Sequence, residues 1–258
     1  MKNVYRIITY ILIVLLCCAC VSLCFAVHWI VQVPELPASP TVVPTTIPTA
    51  TPRKPTFVDG FDLDTWSYYK EIALISEYSA LDQNGLIKKW NEAIRIYVDG
   101  LPTLEDRAII QRHVAALNEI PGVPDISIEA DALNCNMTIS FITQKEMNTI
   151  TKDHNEVAFG YTMIWWNYDA QITKAKIYIV RDRQKQIERQ HTILEEMTQA
   201  LGLMNDSARY DDSIFYIYYS DSILRLSKMD WDLIRIHYCD DIVSGMTAED
   251  VSSLYTPK

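Results

Sequence analysis

From about Pro55 onward the sequence predicts one domain of the mixed α/β (α+β) class. Three observations predict it. Runs alternating with period two recur between runs of helical spacing. Cap residues precede the helical runs, and Gly or Pro follows them. About 200 residues of ordinary composition remain, enough for one substantial core.

Residues 64–80 place Trp66, Tyr69, Ile72, Ile75 and Tyr78 near helical spacing and predict a leading helix. Residues 93–98 alternate and run into Asp99-Gly100, a strand and its turn. Thr103, with Glu105 and Asp106 behind it, predicts an N-cap and an acidic first turn, for a helix that runs to about Asn118 and stops before Pro121-Gly122. Strands are expected at 126–130 and 137–143, a short helix at 145–150, and strands at 159–167 and 174–180. Residues 184–201 read as a long helix ended by Gly202. After a stretch rich in Asp, Ser and Tyr, residues 228–239 form a last helix with Met229, Leu233 and Ile236 on one side. No internal repeat is visible.

The N-terminal part is not globular material. Residues 1–6 carry Lys2 and Arg6 and precede an almost unbroken apolar run over 7–33. As a helix that run would be about 40 Å long, more than a hydrocarbon core requires. It is expected to be a transmembrane anchor with residues 1–6 in the cytoplasm and the rest of the chain outside, because no basic residue follows the run until Arg53. Two other readings export the same domain: a cleaved signal ending at Cys24-Phe25-Ala26, and a lipoprotein signal around Cys18 and Cys20. Residues 34–55 hold seven of the eleven prolines, interleaved with Thr. Such a linker favours extended, polyproline-like conformations and spans up to roughly 70 Å. The domain is then 56–258.

Only Glu35 among the acidic residues lies before Pro55, against Lys2, Arg6, Arg53 and Lys54, so the domain carries 19 basic and 32 acidic groups, a net −13. That charge repels phosphate backbones and anionic headgroups and argues against nucleic-acid partners. There is no phosphate-cradling Gly loop, no Gly-x-Ser-x-Gly elbow and no Cys-His zinc knuckle.

The most informative segment starts at His191: His-Thr-Ile-Leu-Glu-Glu-Met-Thr-Gln-Ala-Leu-Gly-Leu-Met-Asn-Asp. Glu195 and Gln199 fall one helical turn apart on one face with Glu196 beside them, and Gly202 then lets the chain turn to present Asn205 and Asp206. This frame resembles that of the metzincin zinc peptidases, with Glu196, Gly202 and Asp206 retained and Glu195, Gln199 and Asn205 standing where the pattern has its three zinc-binding His. Residues 213–216 resemble the methionine turn beneath the metal, with Phe215 where Met would sit. The resemblance implies a metzincin-like (zincin-like) mixed sheet with an active-site-type helix, and a substrate-binding edge strand at 159–166. Residues 107–246 further resemble a bacterial family of exported domains of unknown function that shares the Glu-Glu-x-x-Gln-x-Leu-Gly-Leu-x-Asn-Asp signature.

Zinc favours imidazole and thiolate, whereas Glu195, Gln199 and Asn205 offer one carboxylate and two amides. That set suits a harder divalent cation, weakly held. Without a polarised water, Glu196 has no catalytic role as general base. His191 is either a partner ligand of Glu195 or, more simply, a surface or capping residue in i,i+4 contact with it. The expected function is therefore non-catalytic: a metallopeptidase-like pseudoenzyme at the cell surface that binds an extended peptide or a wall component, with zinc or another divalent cation as its only candidate cofactor. The competing readings are a hydrolase with a nonstandard metal set, and a carbohydrate-binding module using Trp165 and Trp166. Cys135 and Cys239, the only cysteines outside 7–33, permit a disulfide. The aromatic clusters at 161–168 and 215–219 read as core, and His113 and His237 as ordinary helix residues.

Overall fold

A computed structural model describes residues 57–75, 85–151, 158–218 and 222–255. The expected anchor at 7–33 and linker at 34–55 lie outside the described residues. Among the described residues no helix is long and apolar enough to cross a membrane.

Five strands, β1 (Ile94–Gly100), β2 (Ile126–Glu129), β3 (Met137–Ile142), β4 (Gly160–Trp166) and β5 (Ile172–Val180), form one sheet in the order β2-β1-β3-β5-β4. The first four in that order are parallel, and β4 runs antiparallel to β5 at the edge. The helices are α1 (Leu63–Leu74), α2 (Leu104–Asn118), α3 (Gln144–Ile150), α4 (Gln186–Gln199), α5 (Lys228–Tyr238) and α6 (Ala248–Leu254).

Local chemistry sets most boundaries. Thr103 accepts from the Asp106 N–H at 3.1 Å while Asp106 accepts from the Thr103 N–H at 2.8 Å, a capping box that starts α2. At its far end the Asn118 side chain bonds both the N–H and the carbonyl of Ile126, at 2.9 and 3.0 Å, and docks the helix onto β2. The leading helix is shorter than its periodicity suggests: α1 stops at Leu74 and Ile75 is extended. The Asn205 N–H takes the Ile72 carbonyl at 3.2 Å, an acceptor that another helical turn would have used. Helix α6 was not expected, although Thr247 and Asp250 form the same capping box as Thr103 and Asp106.

One sheet face is packed under helices. Ile94, Ile96, Met137, Ile139, Phe141, Ala175, Ile177 and Ile179 are buried there and join one core with Trp66, Tyr69, Trp90, Phe215 and Tyr238. The polar tips of the large aromatics are satisfied, Trp90 Nε1 on the Ala200 carbonyl and the Tyr238 hydroxyl on the Leu201 carbonyl, both at 2.9 Å. These bonds cap the exposed carbonyls at the end of α4 and fix it over the sheet.

Candidate functional site

Helix α4 is pinned at both ends. Near its start Arg189 pairs with Asp106 of α2 at 2.9 Å, both side chains almost fully buried, and Gln186 donates to the same carboxylate at 2.6 Å. Past its end Gly202 has φ +110°, and a Cβ there would lie 1.9 Å from the Lys88 carbonyl oxygen and 2.9 Å from His237 Nε2. No side chain fits. His237 donates from Nε2 to that Lys88 carbonyl at 3.0 Å, so its Nδ1 accepts from the Tyr69 hydroxyl at 3.2 Å. Complete burial pushes this imidazole down to about 3.

Between the two pins lie the residues of the signature. His191 is buried rather than on the surface, at 2% exposure. Its Nδ1 bonds the Ile223 carbonyl at 2.9 Å and its Nε2 faces Glu195 at 3.5 Å, the i,i+4 contact the spacing implies. The loop carrying Ile223 closes over the ring, which no local pattern in the sequence reveals. Burial holds this imidazole below its ordinary value, against the opposing pull of the carbonyl. Gln199 donates from Nε2 to Asp206 at 2.9 Å, which staples the helix to the turn beyond Gly202. Asn205 is buried, with its backbone N–H on α1.

Glu196 points the other way, toward the edge strand. It is 6% exposed, and its backbone carbonyl accepts from Thr162 of β4 at 3.1 Å. Its carboxylate lies against the α-carbon of Gly160. A Cβ there would sit 2.1 Å from Glu196 Oε1 and 2.6 Å from the Thr192 methyl. Tyr161, next along β4, has its hydroxyl pushed up, first by burial and then by the Glu196 charge. Sequence reasoning missed Gly160 and Thr162. The available signal was a lone glycine opening an otherwise bulky strand.

The turn 213–216 packs against the segment that follows Gly202. Phe215 is fully buried, and its carbonyl accepts from the Ser207 N–H at 2.8 Å. Asp230, fully buried at the start of α5, anchors the turn by accepting from Ser213 Oγ at 2.6 Å and the Ile214 N–H at 3.0 Å. Burial raises its carboxyl, and these donors pull it back.

Two expectations are corrected. Cys135 and Cys239 are both free. Cys135 sits in the turn before β3, 3.1 Å from the Ala132 carbonyl, while Cys239 ends α5 against the core, so the disulfide is not formed. The aromatic clusters are not uniformly core either. Phe215 is, but Trp165, Trp166 and Tyr168 are 40%, 43% and 109% exposed and Tyr218 is 64% exposed; Tyr219 lies outside the described residues.

The residues do not fit a zinc centre. At the positions where the sequence resemblance would place imidazoles stand Glu195, facing His191, Gln199, which donates to Asp206, and Asn205. Among the described residues no three His, Cys, Asp or Glu side chains meet where they could hold a metal ion. One imidazole, one exposed-edge carboxylate and amides are a poor match for a cation that prefers several imidazoles or thiolates.

The fold and site thus define a mixed α/β domain with a five-stranded mixed sheet, a long helix across one face and an acidic group beneath the edge strand. Residues 64–256 match the family described as "Protein of unknown function (DUF2927)", and the chain belongs to that family. Two solved structures of myroilysin are similar: a crystal structure at 12% identity and TM-score 0.39, covering 58% of this chain and 86% of that one, and another at 13% and 0.37, covering 59% and 83%. No curated protein matches the sequence.

Proposed function

We propose that the domain is a non-catalytic binding module, held outside the cell by an anchor at 7–33, that takes an extended peptide along the free edge of β4. The observation that carries this reading is the placement of β4. Among the described residues the strand is paired with β5 on one side only, and Thr162 and Gly160 clamp it to α4. A rigid open strand offers backbone donors and acceptors in register to an incoming chain, and pockets along it select alternate side chains. Glu196, next to the first residue of the strand, favours a basic group or an N–H donor at that end. The non-catalytic part of the reading is supported by Glu195 and Gln199, whose side chains are engaged by His191 and Asp206.

A hydrolase with Glu196 as general base is the second reading, favoured by the closeness of that carboxylate to the edge strand. One experiment separates the two. The purified full chain in detergent is mixed with a peptide library, and binding and new peptide termini are both read by mass spectrometry. Binding without cleavage, weakened about tenfold or more by Gly160→Ala, is the expected result. Cleavage abolished by Glu196→Gln replaces the binding module with the hydrolase, and a library that neither binds nor is cut refutes both.

A further inference from the structure

Among the described residues the main core packs on one face of the sheet, and on the other only the C-terminal end of β5, at Val180, is fully buried. Along β1, β3 and β5 the residues alternating with the core, such as Arg95, Tyr97, Thr138, Ser140, Lys176 and Tyr178, are half-buried, and Lys174 is exposed. Parallel strands are ordinarily covered on both faces. Here three of them, lying side by side, present polar and aromatic groups instead of a second apolar layer.

The register arranges those groups in rows. Trp165 lies opposite Lys174. Met163 lies opposite Lys176, Lys176 opposite Thr138, and Thr138 opposite Tyr97. Tyr161 lies opposite Tyr178, and Tyr178 opposite Ser140. The Lys174 ammonium stands 5.7 Å from the centre of the Trp165 ring. Arg95 completes the basic end, held by the Asn134 carbonyl at 2.7 Å. The acids on this face are Asp99, near the C-terminal end of β1, and Glu129, which stands on β2 in the row of Tyr97, Thr138 and Lys176, three strands away from that lysine. A domain of net charge −13 thus gathers Arg95, Lys174 and Lys176 with tryptophan and tyrosine rings on one uncovered surface.

From this we infer that the open sheet face is a binding platform for an acidic polysaccharide, separate from the β4 edge. The pairing of groups fits that class. A pyranose ring lays its axial C–H bonds on an aromatic face, such as the exposed Trp165 or the half-buried Tyr161, while its carboxylates reach the ammonium and guanidinium groups between the rings. Hydroxyls of Thr138 and Ser140 bond sugar hydroxyls. An anionic bilayer is a worse fit, because the rest of the domain surface is acidic and repels it. Single-stranded nucleic acid uses the same stacking and cationic groups and is the outcome that must be told apart.

The test measures binding of the full chain in detergent to polygalacturonate, neutral dextran and oligothymidylate. Polygalacturonate binding is expected, weakening as salt rises. It should fall about tenfold or more in Lys174→Glu/Lys176→Glu and about fivefold in Trp165→Ala, with dextran bound weakly or not at all. Lys185→Glu, a single charge reversal at an exposed position on the helical side, should leave it intact. The inference is overturned if polygalacturonate is not bound, if oligothymidylate is bound more tightly, or if Lys185→Glu weakens binding as much as the face variants. Circular dichroism of each variant separates lost binding from lost folding. Lys174→Glu/Lys176→Glu lies on β5, off the β4 edge, so loss of polygalacturonate binding with peptide binding kept separates this platform from the peptide edge, whereas Trp165→Ala, on β4, is read for both ligands.

Discussion

Two glycines border the same helix, Gly160 against its flank and Gly202 just past its end, and both would clash if given a side chain. What each would strike differs. At Gly202 the obstacle is backbone, the Lys88 carbonyl, in a turn with positive φ and with a buried histidine behind it. At Gly160 the obstacle is the carboxylate of Glu196 and a threonine methyl. Backbone closed on all sides marks an architectural joint. A strand brought down onto a carboxylate marks a place built around that group.

The comparison breaks most readily at Gly202. Gly202→Ala is expected to destabilise the domain by about 3–5 kcal/mol in urea denaturation, combining left-handed strain with overpacking. A loss below about 1 kcal/mol would mean that the joint yields. The second largest effect is on pH. His237 is lowered to about 3 and His113 to about 4 by burial. Their folded values lie below the unfolded value of about 6.5, so the unfolded chain binds more protons between. Stability from these two rings is complete above about pH 6.5 and is lost as pH falls, by at most about 1.4 kcal/mol per pH unit for each ring, until their folded values are reached. His113→Phe should flatten the slope of the denaturation midpoint against pH over that window, and an unchanged slope would place the loss elsewhere.

At Gly160 a smaller cost is expected, about 1–2 kcal/mol for Gly160→Ala, because a side chain can move where backbone cannot. Glu196→Ala should remove most of that cost in the double variant, measured as a coupling energy in a double-mutant cycle. Additive effects would show that the carboxylate is not what Gly160 accommodates. Gly60→Ala has nothing within 4 Å of the added carbon and should shift stability by less than about 0.5 kcal/mol. This sets the floor against which the other two are read.

Helix starts were the most legible part of this sequence. Thr103 at the start of α2, like the Gly202 turn at the end of α4, acts through neighbours three or four residues away, and a pattern of that length can be read from the chain. Sheet order could not be read that way, because β1 lies between β2 and β3 through pairings made over tens of residues. The signature helix was visible, yet the burial of His191 depends on the distant Ile223 loop, and the role of Gly160 depends on a helix 36 residues on. The open sheet face did leave a trace. In Ile172-Thr-Lys-Ala-Lys-Ile-Tyr-Ile-Val, Lys174, Lys176 and Tyr178 alternate with Ala175, Ile177 and Ile179, which is how a strand with one wet face is written. Trp165 and Trp166 were misjudged as core because aromatic density alone does not say which side of a hairpin meets solvent.

The unpaired side of β4 also bears on how copies of this chain behave toward one another. A strand side left unpaired is as attractive to its own twin as to a ligand, and two domains aligned edge to edge would zip into a longer sheet. The chain's net charge of −10 works against that meeting, since like-charged molecules keep their distance until dissolved ions shorten the reach of the repulsion. Crowding on a surface in concentrated salt is therefore the condition under which self-adhesion competes with recognition.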